Sequence, residues 1–153
     1  MVHVLICGER IRRDDAAAVL AAGLLPPDVL ALARISEVGQ LFVEALLEVP
    51  PGEAVIVADA AVGIPAGLVV TVSLAAVARS AGSGATPASS HAIPPHQVLA
   101  LAEEMAGAPL RGTFVGIGAA ELGFGEELSD PVAAALPRFA AAIAAEIRRL
   151  AGG

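Results

Sequence analysis

The sequence predicts an α/β domain: a three-layer α/β/α sandwich around a mostly parallel five-stranded sheet. Near-continuous apolar runs closed by glycine or an acid recur along the chain, as strands buried on both faces of a parallel sheet require. Segments with apolar residues at helical spacing separate them, which is the alternation of βα units joined by right-handed crossovers. No internal repeat or second domain interrupts the 153 residues, so one domain spans 1–153.

Residues 2–7 form the first strand, apolar except for His3. The chain breaks at Gly8, passes an arginine-rich turn, and is expected to enter a helix over 14–25, with Asp14 and Asp15 at the positive end of its dipole and Pro26-Pro27 as its stop. A second strand is expected over 29–35, then a turn at 36–39 and a helix over 41–48 that ends before Pro50-Pro51-Gly52. Residues 54–58 make the third strand and deliver Asp59 at its end, and 68–72 make the fourth.

Residues 79–95, RSAGSGATPASSHAIPP, are seventeen residues without period, too long for an idle connection in a compact domain. A helix over 97–105, a fifth strand over 113–117 and a last helix to Leu150, opened by Ser129-Asp130-Pro131, complete the domain.

Composition narrows the function. With 56% hydrophobic and only 3% aromatic residues, the core must be Ala, Val, Leu and Ile packed at close range. All nine basic residues are arginine, and sixteen acids leave a net charge of −7, which opposes binding to polyanions; nucleic acid is not an expected partner. Lone Cys7 has no partner for a disulfide and MVHVLIC is not a secretory leader, so a cytoplasmic location is expected. Residues 54–78 have the length of a membrane helix, but Asp59 and the cluster Gly63, Pro65 and Gly67 argue for strand, turn, strand, with no membrane contact.

Ligands of open α/β sheets sit in the crevice outside the carboxyl ends of the strands. The first turn brings Asp14 or Asp15 there, the third strand brings Asp59, and the long loop can bring a histidine over them. Neighbouring helical residues point about 100° apart, so one of the paired aspartates faces the crevice and the other caps the helix. Two carboxylates and an imidazole, with positions left open, suit several divalent metals. His91 is favoured over His96, which sits where Pro94-Pro95 start a helix. Cys7 closes an apolar strand as a small hydrophobe, no Gly-x-Ser-x-Gly elbow frames Ser90, and Gly8 stands without the further glycines of a dinucleotide fingerprint. Arg10, Arg12 and Arg13 either grip a carboxylate of a substrate tail or solvate the turn.

Cys7-Gly8-Glu9-Arg10-Ile11-Arg12-Arg13-Asp14-Asp15 resembles the opening turn of the hydrogenase maturation endopeptidases. Val55-Ile56-Val57-Ala58-Asp59-Ala60, Pro65-Ala66-Gly67, Ser89-Ser90-His91 and Gly116-Ile117-Gly118 are similar to later segments of that family, in the same order. The resemblance implies a peptidase that clips the C-terminal extension from the large-subunit precursor of a nickel-iron hydrogenase after nickel insertion. It implies Asp15, Asp59 and His91 as metal ligands. Nickel, supplied within the precursor, would be the recognition element, and no catalytic residue is assigned. Gly39 and Gln40, in the remnant Glu37-Val38-Gly39-Gln40 of a second motif, are the implied substrate-binding residues. Glu9 and Arg12-Arg13 depart from the family's usual asparagine and uncharged turn. A monomer is expected, and the alternative is a chaperone-like relative that binds a metallated partner without cutting it.

Overall fold

The computed structural model describes residues 1–80, 86–87 and 93–153. Strand β1 (Val2–Cys7) lies between β2 (Ala33–Gly39) and β3 (Val55–Val62), parallel to both. The elements before the fifth main strand include α3 (Val43–Leu47), β4 (Val69–Ser73), α4 (Leu74–Arg79) and the two-residue β5 (Thr86–Pro87). Strand β6 (Gly112–Gly118) runs parallel to β3 on its far side and antiparallel to β4, giving the order β2-β1-β3-β6-β4. The sheet is therefore the expected five-stranded, mostly parallel one, with β5 added antiparallel to β3. Ala61 pairs with Gly118 of β6 and with Pro87 of β5, so β5 takes the side of β3 that β1 vacates after Cys7.

Period-2 alternation divides the strands between two cores. Val2, Val4, Ile6, Ile56, Ala58, Val115 and Ile117 face a layer made by α1 (Ala17–Ala22), α2 (Pro27–Leu30) and α6 (Asp130–Gly152). Leu5, Cys7, Val55, Val57 and Phe114 face α3, α4 and α5 (Pro95–Ala106). Ala16, Ala17, Ala18 and Ala21 are all buried, so α1 packs through methyl groups, and Phe139, fully buried on α6, supplies the bulk on that side. No helix among the described residues is long and apolar enough to cross a membrane.

Several boundaries differ from expectation. The helix expected over 14–25 opens as a 3-10 turn, Arg13–Ala16, and becomes α-helical only at Ala17, because the Asp14 N–H is drawn to the Glu121 carbonyl. Pro27 starts a short helix where a strand was expected from 29, and the strand begins at Ala33 and runs through the expected turn to Gly39. Ser73 Oγ accepts from the Ala76 N–H and caps α4, a helix the sequence did not announce. Strand β3 outlasts its expected end because β6 and β5 keep pairing with it, so Asp59 sits inside the strand.

Phe139→Ala removes the largest fully buried side chain and is expected to cost about 3–5 kcal/mol, read as a lower denaturant midpoint at unchanged slope.

Candidate functional site

The turn after β1 is built on a close approach. Gly8 has φ +120°, and a Cβ there would overlap the carbonyl oxygen of Asp15. A register shift between Ile6 and Cys7 brings Gly39 opposite Cys7, and the Gly8 N–H donates to the Gly39 carbonyl at 2.6 Å. Gly39 itself has φ +69°, and a Cβ on it would lie 3.3 Å from Glu9 Oε1, so the Glu9 side chain passes over this glycine. Gln40 turns back through its N–H to the Val38 carbonyl at 2.8 Å. Gly39 and Gln40 thus stand on the same rim as the first turn.

The two aspartates of that turn divide their roles. Asp14 is 0% exposed, and its carboxylate accepts from the N–H groups of Ala120, Glu121 and Ser129, each at 2.8 Å, and from Ser129 Oγ at 2.7 Å. Burial pushes this carboxyl up, but the hydrogen bonds outweigh it and the net shift is downward. Asp14 therefore brackets the 119–129 loop to the turn, a role distinct from the crevice acid or helix cap that the sequence offered for it. Asp15, also buried, accepts one hydrogen bond through Oδ2, from the Glu9 N–H at 3.0 Å. Its pKa is raised by burial against that bond and the Arg12 charge, with Glu9 adding repulsion.

The arginines are engaged within the fold. Arg10 Nη2 reaches both Glu37 carboxylate oxygens at 3.0 Å, and Arg13 Nε donates to the Glu127 carbonyl at 3.1 Å. Arg12 forms a β-bridge with Gly125, flanked by two backbone bonds along the same seam: the Arg13 N–H donates to the Gly125 carbonyl and the Gly125 N–H to the Ile11 carbonyl.

Asp59 follows Val55 and Val57 on the α3–α5 face of β3 and shares that face with Cys7. Burial first, and then the charge of Asp15, push its pKa to about 8, while the Ala60 N–H, donating to Oδ1 at 2.8 Å, pulls the other way. Burial, Asp59 and Asp15 likewise raise the Cys7 thiol well above its ordinary value. The first turn and β3 therefore bring Asp15 and Asp59 near enough for the Asp15 charge to be felt at Asp59.

His91 lies outside the described residues. His96, in the first turn of α5, is partly buried and lines a cavity that also exposes Asp59. Among the described residues no three His, Cys, Asp or Glu side chains converge as a metal-holding group. Ser129, named in the sequence only as the opening of the last helix, donates to Asp14, and Gly116, named only in a family-like segment, stands opposite Asp59.

An open α/β protein with coupled carboxylates and a neutral buried thiol at its strand rim is the class these features define. A family model, HycI, described as hydrogenase maturation protease, matches residues 37–146, well over half of the chain. The chain belongs to the hydrogenase maturation protease family, a family of peptidases. The match includes Asp59 and begins after Asp15.

Solved structures agree on the fold. The hydrogenase maturating endopeptidase HybD from E. coli has TM-score 0.73 at 21% identity, over 97% of this chain and 92% of that one. The [NiFe] hydrogenase maturation protease HybD from Thermococcus kodakarensis has TM-score 0.72 at 22% identity, over 93% and 95%. HycI from Thermococcus kodakarensis KOD1, also titled a [NiFe] hydrogenase maturation protease, has TM-score 0.67 at 24% identity, over 96% and 92%. Among curated proteins, none matches the sequence.

Asp14→Ala strands three backbone N–H groups and is expected to destabilise the fold by about 3 kcal/mol at neutral pH. A carboxyl whose folded pKa is depressed contributes stability above its unfolded value and loses it as pH falls through the folded one, so the gap between wild type and variant should narrow in acid. Asp59 has the opposite sign. Between about pH 4 and 8 the unfolded chain ionises this carboxyl more readily than the folded one, which costs stability as pH rises. Asp59→Asn should therefore raise the melting temperature of the metal-free protein at pH 8, by about 2–4 °C per kcal/mol relieved, and leave it nearly unchanged at pH 4.

Proposed function

We propose that this chain is the endopeptidase that removes the C-terminal extension from the large-subunit precursor of a nickel-iron hydrogenase after nickel insertion. The observation that carries the reading is the family match across residues 37–146, in a fold that buries Asp15 in the turn after β1 and exposes Asp59 of the neighbouring strand β3 to a cavity. Nickel held in the precursor is part of the substrate, and a divalent charge there offsets the burial and the Asp15 repulsion that together hold Asp59 near 8. Carboxylate oxygens and an imidazole suit such an ion, so Asp15, Asp59 and His91 are its contacts on the protease.

Gly39 and Gln40, on the same rim, take the polypeptide leading to the bond. Their place beside Gly8 supports this, since the glycine leaves backbone groups open to close approach. Cys7 is not the nucleophile on this reading, because burial and two neighbouring carboxylates favour the neutral thiol. The protease acts as a monomer in the cytoplasm, a reading supported by its single buried cysteine. Its net charge of −7 supports a protein partner over nucleic acid.

Incubation with nickel-loaded precursor, followed by mass spectrometry of the tail, tests this. Asp15→Asn, Asp59→Asn and His91→Ala are each expected to slow clipping by about 100-fold or more, while Cys7→Ala stays close to wild type. Tight binding without clipping by the wild-type chain would overturn the reading, and a larger loss in His96→Ala than in His91→Ala would move the imidazole's role to His96.

A further inference from the structure

Beside Asp59 the sheet lacks a side chain. Strand register sets Asp59 opposite Gly116 and Gly116 opposite Val70, so the row across three strands reads acid, hydrogen, valine. The neighbouring row on the same face is Val57, Phe114 and Val72. A Cβ on Gly116 would lie 2.7 Å from Phe114 Cε1 and 3.3 Å from Val70 Cγ2, so those side chains border the space the glycine leaves. Helix α4, six residues long, and the first turn of α5 cover this row without filling it. What remains is a cavity of about 400 Å³. Ile64, Val70, Val72, Val77 and Phe114 wall it, and among the described residues Asp59 and His96 are the ionisable groups on its lining.

The geometry points to a specificity pocket: this cavity receives an apolar side chain of the substrate polypeptide next to the bond that is cut. The inference rests on the endopeptidase reading and names what the site selects. Two observations commit it to that occupant. The pocket opens onto Asp59, the β3 carboxylate assigned to the reacting site. Apart from Asp59, Ser80 and His96 its described lining is aliphatic, aromatic or glycine, which rewards burial of carbon and leaves a polar tip short of partners. The volume falls within the ~300–1,000 Å³ of clefts that enclose small organic groups, enough for one large aliphatic side chain with its flanking backbone. Such a pocket discriminates by about 10–200-fold between a fitting apolar side chain and one that does not fill it.

The test has two arms. In the first, methyl-labelled protein is titrated with N-acetyl-leucine methylamide and with its aspartate and arginine counterparts. The leucine amide is expected to shift the methyl signals of Ile64, Val70, Val72 and Val77, the aspartate amide to leave them in place, and Ala76→Phe, from the exposed side of α4, to abolish the shifts. Absence of those shifts in wild type, or larger ones with arginine or aspartate, overturns the pocket.

In the second arm, nickel-loaded precursors carry aspartate in place of each apolar residue close to the cut. At least one is expected to lose about 10–200-fold in kcat/KM. Ala76→Phe should lower kcat/KM on the unaltered precursor to a similar degree. An Ala76→Phe enzyme with wild-type kcat/KM overturns the pocket while leaving the endopeptidase reading intact. If wild type cuts no precursor, the endopeptidase reading falls and the methyl titration alone decides the pocket.

Discussion

A buried carboxylate with no cation beside it must be satisfied by hydrogen bonds, and Asp14 shows what that requirement builds. Its four donors come from Ala120, Glu121 and Ser129, more than a hundred residues away in sequence. Once those bonds form, the turn after β1 and the loop before α6 move as one piece, seamed further by Arg12 and Gly125. Gly8 makes the other half of the constraint, since only a residue without Cβ fits against the Asp15 backbone. Together they leave the Asp15 side chain little choice but the crevice. The two neighbouring aspartates end with opposite shifts: the one given four donors is held ionised, and the one given a single donor is left with charge to share. The opposite shifts of the two aspartates are thus a product of the fold, and shifted carboxylates commonly mark functional sites.

How much of this could be read from the chain follows from the range of each interaction. Strands β1, β3 and β6 were legible because burial on both faces writes itself into consecutive residues, as in Val55-Ile56-Val57-Ala58. The choice of Asp15 over Asp14 came from family likeness, and in the structure Asp14 spends its carboxylate on the 119–129 loop while the Asp15 charge is felt at Asp59. Asp14's own role was illegible, because its donors are backbone N–H groups, which carry no residue signature, on a loop with no local link to the turn. The same holds for Arg10, whose partner Glu37 is known only once β2 lies beside β1. Strand β2 was misplaced since 29–35 mixes helix and strand formers, and pairing with β1, a tertiary effect, decided the matter. Helix α4 was hidden by a run whose residues suit strand or helix equally until Ser73 caps it.

The crevice has a cost that the rest of the molecule carries. Asp59 is held near 8 by burial and by Asp15, an arrangement that weakens the folded state wherever the carboxyl is driven to ionise. Two large, nearly separate apolar cores on either side of the sheet make that tolerable. Function at the expense of local stability is what a site awaiting a cation on its partner would show. On the proposed reading the protease need not hold metal tightly by itself: a crevice with incomplete donors favours the state in which the precursor brings both the ion and the rest of its ligands.

This arrangement also explains why one residue can govern two kinds of recognition. Asp59 has the Asp15 crevice on one side and, through Gly116, the apolar cavity on the other. On the proposed reading an ion is drawn to the first and hydrocarbon walls accept a side chain in the second, so a substrate lacking the metal leaves the carboxylates without their cation and one with the wrong flanking residue leaves the cavity wet. Neither contact alone fixes a peptide bond in place. The two meet at a single strand position, so a chain that satisfies both has its backbone pinned on each side of Asp59, and selectivity follows from geometry that the sheet register sets.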